Sequence, residues 1–265
     1  MRMQLFRGVG AETSNDQPVG EASWADLHAR CRVVWTSSGE PVRQISPRSR
    51  LPVGRYNSRK AGRMLHHQSR GHGKVGGEKL ALMICEIKPE VADFRSQHIR
   101  LDLLINGKVQ AYFPDIAMLL HDGTIAVVEV KKDARWQSDL EYRAKLNAAE
   151  SVCDELGWDF QVWTDSSMAP STRVRENIAQ IQMQRFLAID DVQALIASRA
   201  LRLSSGILTV KEIGHALGNL AGAGDFARGL MCRGVLSLPL DERIGPNTMA
   251  TAFSPCAAPD VRHAA

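Results

Sequence analysis

Five cysteines are scattered over the 265 residues, and no two of Cys31, Cys85, Cys153, Cys232 and Cys256 form a C-x-x-C pair. That excludes a disulfide scaffold and a structural zinc site, and it fits a reducing compartment. No stretch approaches the ~20 apolar residues of a membrane helix; the best run is Leu80 to Ile84. Met1 to Gly20 has no apolar h-region, so no secretory signal is visible and a cytoplasmic protein without a membrane partner is expected. At 44% hydrophobic and 23% charged, the composition is that of an ordinary globular chain and excludes a disordered or collagenous one. The length suits one large domain or two small ones.

The most telling absence is acidic. Between Pro41 and Gly77 there is no Asp or Glu, while Arg43, Arg48, Arg50, Arg55, Arg59, Lys60, Arg63, Arg70 and Lys74 supply nine positive charges. The whole chain carries +4, so the remainder sums to −5. Charge concentrated this way suits a polyanionic partner, although a solvated basic linker has the same composition. Within this arm Arg55, Arg59, Lys60 and Arg63 are the candidate contacts to a nucleic acid. Such contacts count phosphates and carry no sequence choice.

Punctuation divides the chain into a poorly structured leader (1–40, with a short helix near Trp24 to Arg32), a loop-rich basic arm (41–77), an α/β core (78–170), a helical domain (171–250) and a disordered tail (251–265). The core opens with a short buried helix at Glu78 to Glu86, stopped by Pro89. His98 to Ile105 reads as a strand, Asn106-Gly107 as a hairpin turn and Lys108 to Leu119 as the returning strand. Asp122-Gly123 makes a second hairpin into the strand Thr124 to Lys131. Ser138 to Leu156 has helical spacing, with Tyr142, Leu146, Ala149, Cys153 and Leu156 on one face and Gly157 as its stop. Asp159 to Thr164 is a further strand, which makes the sheet mixed. Beyond it, Thr209-x-x-Glu212 is a capping box, Asp225 a cap for the next helix, and Val235 to Leu240 a strand before the Gly245-Pro246 turn. Helix, turn, helix and strand pair is a winged-helix pattern. From Asp190 onward seven basic residues face seven acidic ones, so this part suits a protein partner at least as well as DNA.

Three polar residues stand where a hydrophobic sheet would not want them. Asp115 follows Pro114 within the second strand, and Glu129 and Lys131 lie two apart on the third, on one face with Ile125 and Val127. Edge protection and turn opening use the same residue types. Carboxylates on neighbouring strands also offer hard oxygens to Mg²⁺, and a lysine beside them can orient a water and stabilise charge at phosphorus.

Pro114-Asp115 with Glu129-Val130-Lys131 resembles the PD-(D/E)xK signature of restriction-endonuclease-like nucleases. The wider text is similar to the TnsA-type transposon endonucleases. It matches at Pro41-Val42-Arg43, Pro47-Arg48-Ser49-Arg50, Ser58 to Arg63, Pro89-Glu90-Val91 with Gln97 after it, Tyr112-Phe113-Pro114-Asp115 and Arg175-Glu176-Asn177-Ile178. The resemblance implies an α/β restriction-endonuclease-like core with a mixed sheet, followed by a small helical or winged-helix C-terminal domain. It implies a bacterial, Mg²⁺-dependent DNA endonuclease, with Mn²⁺ able to substitute, that cuts the 5′ strand ends of a mobile element. Its partners would be double-stranded DNA at the transposon ends, a DDE transposase of the TnsB kind and an AAA+ regulator of the TnsC kind. Asp115, Glu129 and Glu78 would hold metal, and Lys131 would be the lysine of the motif. Glu78 and Glu86 have the family's eight-residue separation on the first helix, so either could be the helix carboxylate; Glu78 is the one taken as catalytic. Here a longer, glycine-rich approach, His66 to Gly77, replaces the family's tight one. A repair or restriction nuclease of the same fold, and a non-catalytic DNA-binding or assembly subunit, are the alternatives.

Lesser signals read as structure. His66, His67 and His72 suit a partly protonated loop against phosphate and lack the spacing of a metal site. Trp136, Trp158 and Trp163 read as packing, Gln97 as a polar strand-entry residue, and Gly71-x-Gly73 lacks the strand and third glycine of a nucleotide fingerprint.

Overall fold

The computed structural model describes residues 31–36, 40–43, 53–68 and 76–253. In chain order the elements are β1 (Cys31–Trp35), β2 (Val53–Ser58), β3 (Arg63–Gln68), α1 (Glu78–Ile87), β4 (Val91–Ser96), β5 (Ile99–Ile105), β6 (Lys108–Tyr112), β7 (Ile116–Leu120) and β8 (Ile125–Lys131). A 3-10 turn (Ala134–Ser138) leads into α2 (Leu140–Glu155), β9 (Asp159–Thr164), α3 (Asp165–Met168) and α4 (Thr172–Met183). The C-terminal part is α5 (Asp191–Leu203), β10 (Ile207–Thr209), α6 (Val210–Ala216), α7 (Ala223–Cys232), β11 (Leu236–Ser237) and β12 (Met249–Ala252).

The central sheet has the order β4-β7-β8-β9, antiparallel except for the parallel β8–β9 pair, so it is mixed as the sequence predicts. Strand β8 is the axis of the molecule because it is apolar on both faces. Ala126, Val128 and Val130 enter one core with α1, whereas Ile125 and Val127 enter a second core with Leu146, Ala149 and Cys153 of α2. Glu129 and Lys131 continue the α2 face, where the period-2 reading put them.

Several expectations are corrected. The returning strand 108–119 is not one strand: β6 pairs with β5 in a sheet of order β1-β5-β6, and β7 pairs with β4 and β8. Phe113 to Asp115 is the link where the chain changes sheet, so Asp115 sits in that link and not in mid-strand. Strand β4, missed in the sequence, forms the far edge of the central sheet and carries the fully buried Arg95. Its charged residues hid it.

Cys31–Trp35 forms a strand where a poorly structured leader and the end of a short helix were expected. Its register Cys31↔Leu103 to Trp35↔Ile99 puts Val33 and Trp35 into the α2-side core, a non-local gain no local period shows. Residues 24–30 lie outside the described residues, as do most of the leader, much of the basic arm and residues 254–265. The described part of that arm is no loop either: β2 and β3 make a hairpin from Val53↔Gln68 to Ser58↔Arg63, with Tyr56, Ser58, Leu65 and His67 inward. Gly62, at φ +63°, supplies the left-handed turn.

No gap in packing separates the core from the helices that follow. Val174, Ile178 and Ile181 of α4 share one hydrophobic core with Leu80 and Ile84 of α1, and with Ala227 and Leu230 of α7. Gln182 donates to Met83 O at 2.8 Å and accepts from the Tyr56 hydroxyl, binding α4 to both α1 and the hairpin. The Thr209–Glu212 capping box forms as read. Asp225 does not cap α7, which starts two residues earlier at Ala223; it lies in the first turn and pairs with Arg228 at 3.4 Å. The last three strands have the order β10-β12-β11. The four described cysteines are unpaired, and no helix among the described residues is long and apolar enough to cross a membrane.

Candidate active site

Helix α1, the β6–β7 link and strand β8 deliver Glu78, Asp115, Glu129 and Lys131 to one cavity of about 460 Å³. Glu78 is the first residue of α1, and its carboxylate accepts from the Gln68 backbone N–H at 2.9 Å, so the end of the basic hairpin holds it. Asp115 comes from the β6–β7 link. Its Oδ2 accepts from the Val130 N–H at 2.7 Å, and its backbone oxygen accepts from the Gln97 N–H at 2.9 Å. Gln97 is more than a strand-entry residue: buried and held at φ +48°, it also accepts from Val42 N–H at 3.0 Å. One residue thereby ties the 40–43 segment to Asp115.

Glu129 is the most tightly held of the four. The Tyr112 hydroxyl donates to its Oε2 at 2.7 Å, the Tyr142 hydroxyl to its Oε1 at 2.6 Å, and Lys131 Nζ lies 2.6 Å from Oε1. The Lys131 ammonium also sits 4.3 Å from the centre of the Tyr142 ring. Burial, then the neighbouring Glu129, push both phenols well above their usual range, so they stay protonated donors. Sequence reasoning missed both tyrosines as site residues. Tyr142 was placed on the α2 core face and Tyr112 in the motif text, but the pairing of both with Glu129 depends on how β6 and α2 cross over β8.

Burial, then Glu129 and then Glu78, raise the Asp115 carboxyl well above its ordinary range. Buried like-charged carboxylates of this kind are relieved by a hard cation. Among the described residues no group of three His, Cys, Asp or Glu is placed to hold a metal ion. Mg²⁺ does not require one, since it keeps several waters and takes one or two carboxylates. Asp115 and Glu129 are two carboxylates of the type Mg²⁺ takes, and Glu78 lines the same cavity.

Glu86, the rival helix carboxylate, is elsewhere. It is fully buried under the hairpin turn and accepts from Ser58 Oγ at 2.6 Å, Arg59 N–H at 3.1 Å and Lys60 N–H at 3.0 Å. Residues 88–165 match the family model described as TnsA-like endonuclease N terminal. Over this segment the chain is similar to TnsA-like endonucleases. The match runs from the end of α1 to the start of α3, so it contains Tyr112, Asp115, Glu129, Lys131 and Tyr142 but neither Glu78 nor the helices beyond α3. No curated protein matches the chain.

The TnsA-like segment is met by only part of the anticipated basic set. Arg55 is exposed, and Arg59 is half-buried without an ion pair among the described residues. Arg63 donates to Ala61 O and lies 3.9 Å from Asp93. Lys60 is corrected: its ammonium turns inward onto the carbonyls of Cys85 and Lys88 at the end of α1. His67 is corrected too, since it is buried over Gly54 and burial lowers its pKa, whereas His66 lies on β3 and His72 lies outside the described residues. Trp158 packs in the core as read. A larger cavity of about 770 Å³ between α1, β9 and α7 is lined mainly by apolar side chains, and its facing charges, Lys88 and Glu90, pair at 2.8 Å.

Proposed function

We propose that the chain is a Mg²⁺-dependent DNA endonuclease, with Mn²⁺ able to substitute, that cuts the 5′ strand ends of a transposon during cut-and-paste transposition. The observation that carries this reading is the meeting of Glu78 from α1, Asp115 from the β6–β7 link, and Glu129 and Lys131 from β8 in one cavity lined mainly by the TnsA-like segment. Asp115, Glu129 and Glu78 would hold the metal. Bound there, a divalent cation supplies charge neutralisation at the phosphate and acidifies water. The chain's own groups do the rest. Tyr112 and Tyr142 fix the Glu129 carboxylate, the Val130 N–H fixes Asp115, and Lys131 presents an ammonium that can orient the attacking water or donate to a phosphoryl oxygen.

Partners in this reading are double-stranded DNA at the element's ends, a DDE transposase of the TnsB kind and an AAA+ regulator of the TnsC kind. The C-terminal part reads as a winged-helix module: α5, β10, α6, α7, β11 and β12 follow in that order, and the third strand lies between the other two. Its balanced charge suits a protein partner at least as well as DNA.

The test is strand-specific. Lys131→Ala and Asp115→Ala should lower 5′-strand scission on the order of 10³-fold while folding and partner binding persist. Cuts made by a separate transposase on the 3′ strands should survive, turning simple insertions into cointegrates. Unchanged simple insertion with either variant, or loss of both strand cuts together, would overturn the assignment.

A further inference from the structure

Three more cations line the carboxylate cavity, and none of them belongs to the motif: Arg43, Lys132 and Lys145. They come from three walls. Arg43 reaches the site from the segment before β2; Val42 is hydrogen-bonded to Gln97, which is itself bonded to Asp115, and the Arg43 guanidinium lies 5.6 Å from the centre of the Phe113 ring. Its anchor is thus the same link that carries Asp115. Lys132 follows Lys131 at the end of β8. Lys145 stands three residues after Tyr142 on α2, a spacing that puts both side chains on one helix face, and it is half-buried there.

Their electrostatics separate them from the other cations nearby. Lys131 pairs with Glu129 at 2.6 Å, Arg100 with Asp102 at 3.0 Å and Arg135 with Asp133 at 2.8 Å. Among the described residues, Arg43, Lys132 and Lys145 have no carboxylate within ion-pair distance, although Glu78 and Asp115 line the same cavity. Like charges converging on one opening repel each other, and a polyanion entering there relieves that repulsion. An arginine seated on an aromatic ring is also pre-set to present its edge to a phosphate.

We propose that Arg43, Lys132 and Lys145 form a phosphate clamp that grips the DNA backbone on either side of the carboxylates, placing a phosphodiester at Asp115. This inference rests on the nuclease reading above and adds the substrate contacts to it. It also moves the main phosphate grip away from the β2–β3 hairpin, where, among the described residues, Arg55 and Arg59 are the arginines free of ion pairs.

The experiment measures binding of a short fluorescein-labelled duplex to the full chain over a KCl series, with CaCl₂ replacing MgCl₂ to prevent cutting. Arg43→Ala/Lys132→Ala/Lys145→Ala should weaken binding and flatten the log–log salt slope by about 0.9 per lost contact, up to about 2.7 for all three. The charge-keeping variant Arg43→Lys/Lys132→Arg/Lys145→Arg should restore most of the slope. Ca²⁺ affinity without DNA should not fall, because the carboxylates are untouched and three positive charges around them are gone. Parent protein that binds duplex while the alanine variant keeps the same slope overturns the clamp alone. An alanine variant that unfolds leaves the decision to the charge-keeping one, which must then hold the parental slope or refute the clamp. Parent protein that binds no duplex removes both the clamp and the nuclease reading.

Discussion

Helix α1 carries one carboxylate at its first residue and another one residue before its end, and the two live in opposite circumstances. Glu86 lies next to the carbonyl end of the helix, where a negative charge is unfavourable, and it is fully buried. Three donors on the hairpin turn answer it, so it clamps β2 and β3 onto the core. Glu78 sits at the favourable amide end and faces a cavity shared with Asp115 and Glu129, where acidic groups crowd together. The two sites use the same residue types. One is closed by donors from its own chain; the other gathers acid and places its cations around the opening. A sealed carboxylate holds structure together, and an open acidic cluster has capacity for a ligand.

The largest effect that would sharpen this contrast is on Glu86. Glu86→Ala strands the Ser58 hydroxyl and two backbone N–H groups under the turn, so we expect a loss of about 3 kcal/mol, a fall in melting temperature on the order of 10 °C. Ca²⁺ binding at the cavity should persist below the new transition, as calorimetry can show. An unchanged melting temperature would mean that the hairpin does not depend on this carboxylate.

The next effect has the opposite sign. Burial and two neighbouring carboxylates raise the Asp115 pKa above its ordinary 3.8, so the folded state prefers the protonated form. Any stability from that preference is fully present below the ordinary value and is lost as pH rises through the folded pKa. Without metal, Asp115→Asn should therefore stabilise the fold at neutral pH by on the order of 1–2 kcal/mol, read as a higher melting temperature, and the gap should close below about pH 4. The Asn oxygen can still accept from the Val130 N–H. Adding Ca²⁺ should reverse the ranking, since only the parent protein keeps the full donor set. A variant no more stable than the parent at neutral pH would show that the acidic cluster is already relieved.

The residues that meet in the cavity were more legible than the architecture that brings them there. Asp115, Glu129 and Lys131 could be read because Pro-Asp interrupts an apolar run and because strand parity is local: Glu129 and Lys131 must share a face once β8 is a strand. Helix α2 and the Thr209 capping box were legible for the same reason. Strand pairing is not local. Val33 and Trp35 reveal a strand only when β5 is beside them, and the change of sheet at Phe113 to Asp115 has no periodic signature. Lys60 was misjudged because charge counting ignores direction: its stem follows the hairpin turn inward, and its ammonium ends on two carbonyls.

Lys60 also provides the smallest and most discriminating prediction. Burial lowers its pKa to about 8, while Glu86 pushes the other way. Between pH 8 and the ordinary 10.5 the unfolded chain keeps a proton that the folded chain has released, so the contribution of Lys60 to stability increases with pH across that window. Lys60→Met keeps the aliphatic stem, removes a buried charge and leaves two helix-end carbonyls without their ammonium. Those terms oppose each other, so the net change at neutral pH should stay within about 1 kcal/mol. Chemical denaturation at several pH values should show the parent protein gaining on the variant from pH 8 upward and a constant difference below it. The salt slope for duplex binding should not move at all, because an ammonium facing α1 releases no counterion from DNA. A slope reduced by about 0.9 in Lys60→Met would return Lys60 to the DNA-contacting set and place the nucleic acid on the hairpin turn, above Glu86 and away from the acidic cavity.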